Sequence, residues 1–170
     1  MADVMGAAAR VKLVVIGVDG VLTDGGMYFN EKGDTLRKFN RRDGMGIRLL
    51  QQNDIPAAII SSMPSPIVEV WAKYFGVEAV RLNVRDKLHA IERLTIKYGI
   101  QMENVAYISD DIDEIGILER VGFGVTVCDG MTTNKEASAY VTKLKGGEGA
   151  VRETIELILY AQFLSQSKMK

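Results

Sequence analysis

Polar side chains follow four successive apolar runs of the sequence, at the points where those runs end. Asp19 follows the first run, Ser61 the second, Lys87 the third, and Asp110 and Asp111 the fourth. Carboxylate oxygens suit Mg²⁺, which prefers a few oxygen ligands together with water and phosphate. A lysine and a hydroxyl can hold the other oxygens of a phosphate group. The set therefore indicates a site for a phosphorylated ligand and a magnesium ion.

Each of these residues alone has a simpler interpretation. Asp19 and Asp111 could cap turns or helices, Ser61 could be a loop hydroxyl, and Lys87 could be a solvated helix residue. The carboxyl ends of parallel strands, however, meet at one edge of a sheet. Because four successive runs end in this way, we expect the side chains to lie close together.

Short apolar runs alternate with amphipathic stretches, which is typical of strand–helix–strand units on a parallel sheet. The runs predict five strands, over residues 11–18, 56–61, 78–82, 105–109 and 124–127. Apolar residues three and four positions apart predict helices between them and near the end. We therefore expect an α/β fold.

One segment interrupts this alternation directly after the first run. Residues 27–29, a turn over 30–33 and residues 35–39 predict an inserted β-hairpin over about 26–40. An isolated hairpin is only marginally stable in water, so this one should pack on a neighbouring surface. That surface could belong to its own domain or to another subunit.

Composition limits the remaining possibilities. The 170 residues suit a single domain over 1–170, with residues 1–10 flexible and a final helix and tail over 150–170. With 21 basic and 22 acidic residues, there is no electrostatic reason to expect nucleic acid or a membrane as a partner. A lone cysteine, Cys128, and the lack of a signal or spanning segment favour a cytoplasmic protein.

The order and spacing of the motifs resemble the haloacid dehalogenase-type phosphatases, in particular the branch that acts on 3-deoxy-D-manno-octulosonate 8-phosphate. The matching segments are residues 18–25, 39–40, 42–44, 61, 86–87, 109–111 and 146–153. The resemblance implies a three-layer, Rossmann-like α/β fold with a mostly parallel sheet and no cap domain. It also implies Mg²⁺ as cofactor, a sugar-phosphate ligand, and a homotetramer in which the hairpin and a neighbouring subunit shape the site.

The resembled family also implies roles for single residues. Its first motif has two aspartates two positions apart. The first aspartate is the nucleophile, and the second acts as general acid and then as general base. The second position is Asp19 here, and the nucleophile position is occupied by Gly17. Lys87 would serve catalysis and, with Ser61, bind phosphate.

The same resemblance assigns the metal and substrate contacts. The backbone carbonyl of Asp19 would hold Mg²⁺ with Asp110 and Asp111, and Arg42 and Arg152 would contact substrate. The glycine-rich stretch 146–149 could close over the site or simply lead into the last helix.

The sequence departs from the family pattern around this one site. Gly17 has no side chain to attack phosphorus. Ser62-Met63 stand where the branch has Gly-Arg, and Ser109 stands where its fourth motif begins with glycine.

The favoured hypothesis is a phosphatase scaffold that keeps ligand binding and has lost most or all hydrolysis, with a weakened metal site. One alternative is a working Mg²⁺-dependent phosphatase of 2-keto sugar acid phosphates, with Gly17 an engineered or compensated change. A receiver-like signalling domain is disfavoured by the order of the motifs and by the hairpin.

Overall fold

The computed structural model of the protein describes residues 2–167. The strands within this range are β1 (Leu13–Ile16), β2 (Tyr28–Phe29), β3 (Thr35–Leu36), β4 (Ala57–Ile60), β5 (Ala79–Arg81), β6 (Val105–Ser109), β7 (Phe123–Thr126) and β8 (Tyr140–Val141). Six of them form one sheet in the order β5-β4-β1-β6-β7-β8. All its neighbouring strands pair in parallel, so the predicted α/β fold is confirmed.

Helices cover both faces of this sheet. They are α1 (Ala2–Ala9), α2 (Arg41–Gln52), α3 (Pro66–Tyr74), α4 (Lys87–Tyr98), α5 (Ile115–Leu118), α6 (Thr132–Ala137) and α7 (Ala150–Ser167). Side chains alternate along a strand, so Val14 and Ile16 of β1 pack on one face with α1, α2, α3 and α7. Leu13 and Val15 pack on the other face with α4 and α5. The result is the expected three-layer, Rossmann-like arrangement.

One expectation about the elements needs correction, and two elements were not predicted. Residues 1–10 were expected to be flexible, but Ala2–Ala9 forms a helix that packs on α7. This helix is rich in alanine, the strongest helix former, and Ala7 and Ala8 are buried in the core. The short strand β8 and the helix α6 were not predicted from the sequence.

The inserted hairpin forms as predicted. Strands β2 and β3 pair antiparallel, with Tyr28 opposite Leu36, and a bridge between Thr23 and Phe39 closes its base. The Phe39 ring stacks on Trp71 of α3 with centroids 5.2 Å apart, so the base packs on its own chain. Four large apolar side chains of the hairpin remain exposed: Met27, Tyr28, Phe29 and Leu36.

The order of the strands fixes where a site can form. Strand β1 lies between β4 and β6, so the connections that leave the carboxyl ends of the neighbouring strands β1 and β6 run to opposite sides of the sheet. Ligands of open α/β sheets bind in the crevice at such a point. None of the helices between residues 2 and 167 combines the length and apolar character that a membrane span needs.

Candidate active site

A pocket of about 140 Å³ lies at the carboxyl ends of β1, β4 and β6. Its lining residues are Gly17, Val18, Asp19, Ile60, Ser61, Ser62, Lys87, Asp110, Asp111, Asp113 and Glu114. The structure therefore brings together the five polar residues that follow the apolar runs. It also adds Glu114, which the sequence analysis missed.

Gly17 lies at the floor of this pocket, one residue beyond β1. Its amide donates to the Ile108 carbonyl at 3.1 Å. A β-carbon built on Gly17 would lie 3.1 Å from that carbonyl oxygen and 3.2 Å from the nearest methyl of Val21. Such contacts are tight but need a shift of only a few tenths of an ångström, and the backbone is outside the left-handed region. The backbone conformation therefore does not require glycine, and a residue with a β-carbon needs only this small shift of its neighbours.

Asp19 is engaged by a residue of the hairpin. Its Oδ1 lies 2.6 Å from Arg37 Nη1, although the contact falls outside hydrogen-bond geometry and leaves that nitrogen buried without a bonding partner in the described chain. The Arg37 side chain is 12% exposed and that of Asp19 45%. Asp19, the acidic residue nearest to Gly17 in sequence, is therefore held by the positive charge of the hairpin residue Arg37.

One wall of the pocket offers hydrogen-bond donors to an anion. Ser61 is buried, and its Oγ accepts from the Met63 amide at 3.1 Å, which leaves the hydroxyl proton for a ligand. The amides of Val18, Asp19 and Ser62 make no hydrogen bond to any residue between 2 and 167. Free amides that converge on a concavity can bind phosphate oxygens.

Lys87 enters the pocket from the first residue of α4. The Asp86 carboxylate caps this helix by accepting from the His89 amide at 2.9 Å. The Lys87 ammonium pairs with the Glu114 carboxylate, and both side chains are largely buried. Glu114 is four residues beyond Asp110, at the end of the 3-10 turn Ile112–Glu114, and it fixes the lysine at the edge of the pocket.

Acidic groups outnumber basic ones in this pocket. Burial, together with the charges of Glu114 and Asp111, raises the pKa of Asp110 to about 7. A bound cation would offset this excess of negative charge, and oxygen donors suit Mg²⁺. No group of three acidic, histidine or cysteine side chains within the described residues is arranged to hold a metal ion. Asp111 accepts from the Ile112 amide at 2.7 Å and thus also has the simpler role of a helix cap.

Three further hydrogen bonds fix the loops around the pocket. The buried Asn134 of α6 donates to the Ser109 hydroxyl at 2.9 Å and to the Asp111 carbonyl at 2.6 Å. The serine that replaces the glycine of the branch is thus part of a buried network. On the other side, the Gly147 amide donates to the Val21 carbonyl at 2.9 Å. The glycine-rich stretch is therefore a tight loop that supports the first-motif loop and leads into α7.

The two arginines expected to contact substrate lie elsewhere in the chain. Arg42 and Arg152 line a separate cavity of about 540 Å³ that shares no lining residue with the site pocket. Arg152 Nε also pairs with Glu156 Oε1 at 2.6 Å. Within one chain, the structure does not bring these arginines to the site, so their role toward substrate stays a prediction.

Asp43, which follows Arg42 in sequence, was given no role of its own by the sequence analysis. Asp43 is fully buried, and its Oδ1 accepts from the Arg152 amide at 2.9 Å, at the start of α7. Burial raises the pKa of Asp43 to about 6, although the amides of Arg152, Gly149 and Val151 lower it. Asp43 thereby links α2, which follows the hairpin, to α7, which follows the glycine-rich loop.

Comparison with known proteins agrees with this geometry. Residues 48–154 match the haloacid dehalogenase-like hydrolase family. The chain is 40% identical over 161 residues to 3-deoxy-D-manno-octulosonate 8-phosphate phosphatase from Escherichia coli, covering 95% of this chain and 86% of the relative. The crystal structure of the phosphatase of that name from Yersinia pestis superposes with a TM-score of 0.92 at 40% identity, covering 95% and 87% of the two chains.

A third relative carries ligands. The Moraxella catarrhalis phosphatase, solved with a magnesium ion, a phosphate ion and a 3-deoxy-D-manno-octulosonate molecule, has a TM-score of 0.93 at 37% identity, covering 99% and 97% of the two chains. The fold, the pocket and these matches together show that the chain belongs to the haloacid dehalogenase-like hydrolases. Within that family its scaffold is that of the 3-deoxy-D-manno-octulosonate 8-phosphate phosphatases.

Proposed function

We propose that this protein binds a phosphorylated sugar acid together with Mg²⁺ at the end of β1, and that it hydrolyses the phosphate ester slowly or not at all. The observation behind this proposal is Gly17, which lies at the pocket floor without a side chain. Covalent phosphoryl transfer to the protein needs a positioned nucleophile. Asp19 does not replace it, because it stands two residues further along and is paired with Arg37.

The rest of the pocket supports ligand binding. Ser61, the ammonium of Lys87 and the free amides of Val18, Asp19 and Ser62 would hold the phosphate oxygens. The pocket volume of about 140 Å³ is below the usual 300–1,000 Å³ of small-molecule sites. It therefore suits a phosphate and an ion, with the sugar outside it.

Asp110 and the backbone carbonyl of Asp19 would hold the metal ion, with Asp111 acting through water. Mg²⁺ would supply positive charge to the phosphate oxygens. Without a carboxylate at position 17 the ion loses one direct ligand, so we expect its affinity to be low. The acidic lining makes the ion necessary, since an unaccompanied phosphate would face mostly negative charge.

The assembly and location belong to the same proposal. The exposed apolar side chains of the hairpin, Met27 and Phe29 among them, would be buried in a homotetramer, as the resemblance implies. The ligand would then be a sugar acid phosphate of the cytoplasm, by analogy with the sugar acid that is bound by the Moraxella relative.

Titration calorimetry would test the proposed binding. We expect 3-deoxy-D-manno-octulosonate 8-phosphate and inorganic phosphate to bind saturably with Mg²⁺ and more weakly with EDTA. Lys87→Gln should weaken binding about tenfold, because it removes a charged partner but keeps a donor for Glu114. Lys73→Ala, on the exposed surface of α3, is the control and should change nothing. An absence of binding by the native chain would refute the proposal.

A further inference from the structure

A second pocket opens beside the candidate site, at the loop between β5 and α4. Its volume is about 480 Å³, and it shares Ser62, Lys87 and Asp113 with the site pocket. The two pockets therefore adjoin at these three residues, and a ligand whose phosphate lies in the first has the second within reach. Gly116 also lines the second pocket, and a β-carbon there would meet nothing within 4 Å, so this part of the lining is open.

The charges of the two pockets differ. The site pocket is lined by five carboxylates and one lysine, whereas the second pocket contains Arg85 and Arg120. Within residues 4–167, neither guanidinium forms an ion pair or a hydrogen bond. Asp86 accepts from the His89 amide in the cap of α4 and keeps its negative charge there. The lining therefore holds Arg85, Arg120 and Lys87 against Asp86 and Asp113, and its net charge is positive by one.

We propose that this second pocket is a subsite for a second anionic group of the phosphorylated ligand, either a carboxylate or a phosphate, recognised by Arg85 and Arg120. The inference rests on the proposed binding function and names the class of ligand more closely. Ser62-Met63 stand where the resembled branch has Gly-Arg, so the arginine next to Ser61 is absent. Arg85 and Arg120 line the second pocket together with the same Ser62. A guanidinium fork pairs well with carboxylate or phosphate oxygens.

Two matched ligands separate this subsite from phosphate binding itself. Glucitol 6-phosphate and 6-phosphogluconate have the same open six-carbon chain and differ at the far end, which is a hydroxymethyl group in one and a carboxylate in the other. In calorimetry with Mg²⁺ we expect the native chain to bind 6-phosphogluconate about tenfold more tightly, as a charged hydrogen-bonding contact would give. Glucitol 1,6-bisphosphate should show whether a phosphate serves better than a carboxylate.

The variant Arg85→Ala/Arg120→Ala should abolish that preference and leave the affinity for glucitol 6-phosphate unchanged. Arg93→Ala, on α4 but outside both pockets, should keep the preference. Equal binding of all three ligands to the native chain would overturn the subsite and leave phosphate binding standing. A preference that survives in the double variant would also overturn it. If none of the ligands binds, the proposed function and the subsite both fail.

Discussion

Arg37 Nη1 of the inserted hairpin lies 2.6 Å from Oδ1 of Asp19 in the first-motif loop. The neighbouring Lys38 reaches the same loop, with its Nζ 3.8 Å from Asp24 Oδ2. Two consecutive basic residues thus tie the hairpin to the loop that bounds the site. They differ in environment, because the Arg37 side chain is 12% exposed and that of Lys38 58%.

This difference predicts unequal effects on the hairpin. Arg37→Ala should accelerate amide hydrogen exchange several-fold over residues 26–40, since a buried contact is lost. Lys38→Ala is the matched control and should change little, because exposed ion pairs contribute roughly 0–1 kcal/mol. Equal exchange in both variants would show that the Arg37 contact does not hold the hairpin.

The glycine-rich loop offers a test of packing. A β-carbon at Gly146 would lie 1.7 Å from the Gly20 carbonyl oxygen, so Gly146→Ala should lower the free energy of unfolding by about 2–3 kcal/mol. Gly116→Ala, where an added β-carbon meets nothing within 4 Å, should be neutral or slightly stabilising. Urea denaturation measures both variants. A Gly146→Ala chain as stable as the native one would contradict the tight contact between the two loops.

Asp43 should give the protein a pH-dependent stability. Its folded pKa of about 6 is above the ordinary aspartate value of 3.8, so the folded chain binds this proton more tightly than the unfolded chain does. The free energy of unfolding should therefore fall as pH rises from 4 to 7, by up to about 3 kcal/mol from this group. In Asp43→Asn this contribution should vanish. Carbon NMR of the carboxyl group should give a midpoint near 6, and a midpoint near 4 would contradict the burial argument.

The two acidic residues after β6 should differ in their effect on Mg²⁺. Asp110 is partly buried in the pocket and crowded by carboxylates, whereas Asp111 is exposed and caps the turn that follows. Asp110→Asn should abolish the tightening of phosphate binding by Mg²⁺, and Asp111→Asn should reduce it only a few-fold. The same loss in both variants would mean that Asp111 ligates the ion directly.

Much of the site could be predicted because it depends on local features of the chain. Asp19, Ser61, Lys87 and Asp110 each follow an apolar run, and the parallel sheet places the ends of those runs together. The strand Val105–Ser109 has the bounds that its apolar pattern predicts. Strands β1, β4 and β5 are shorter than predicted, β1 by four residues because its apolar run continues into buried loop. Strand β7 has the predicted length and begins one residue earlier.

The contacts that were missed join residues far apart in sequence. Glu114 is charged, and its local sequence pattern gives no sign that it is buried against Lys87. The one available sequence signal for its place at the site was its position, four residues after Asp110. Arg37 reaches Asp19 across the hairpin, and Asp43 reaches α7 across more than a hundred positions. Such pairings depend on how the elements pack and leave no periodic trace. The alanines at 7–9, by contrast, were a signal for α1.

The most direct test of the central claim is phosphate release from 3-deoxy-D-manno-octulosonate 8-phosphate with Mg²⁺, by the native chain and by Gly17→Asp. A β-carbon at Gly17 needs its neighbours to shift by a few tenths of an ångström. Gly17→Asn, which has the same shape but no nucleophile, is the control. We expect release from the aspartate variant at least a hundredfold faster than from the native chain and the asparagine variant, about 2.7 kcal/mol in activation free energy. A native chain as active as its aspartate variant would contradict the account and identify a working phosphatase.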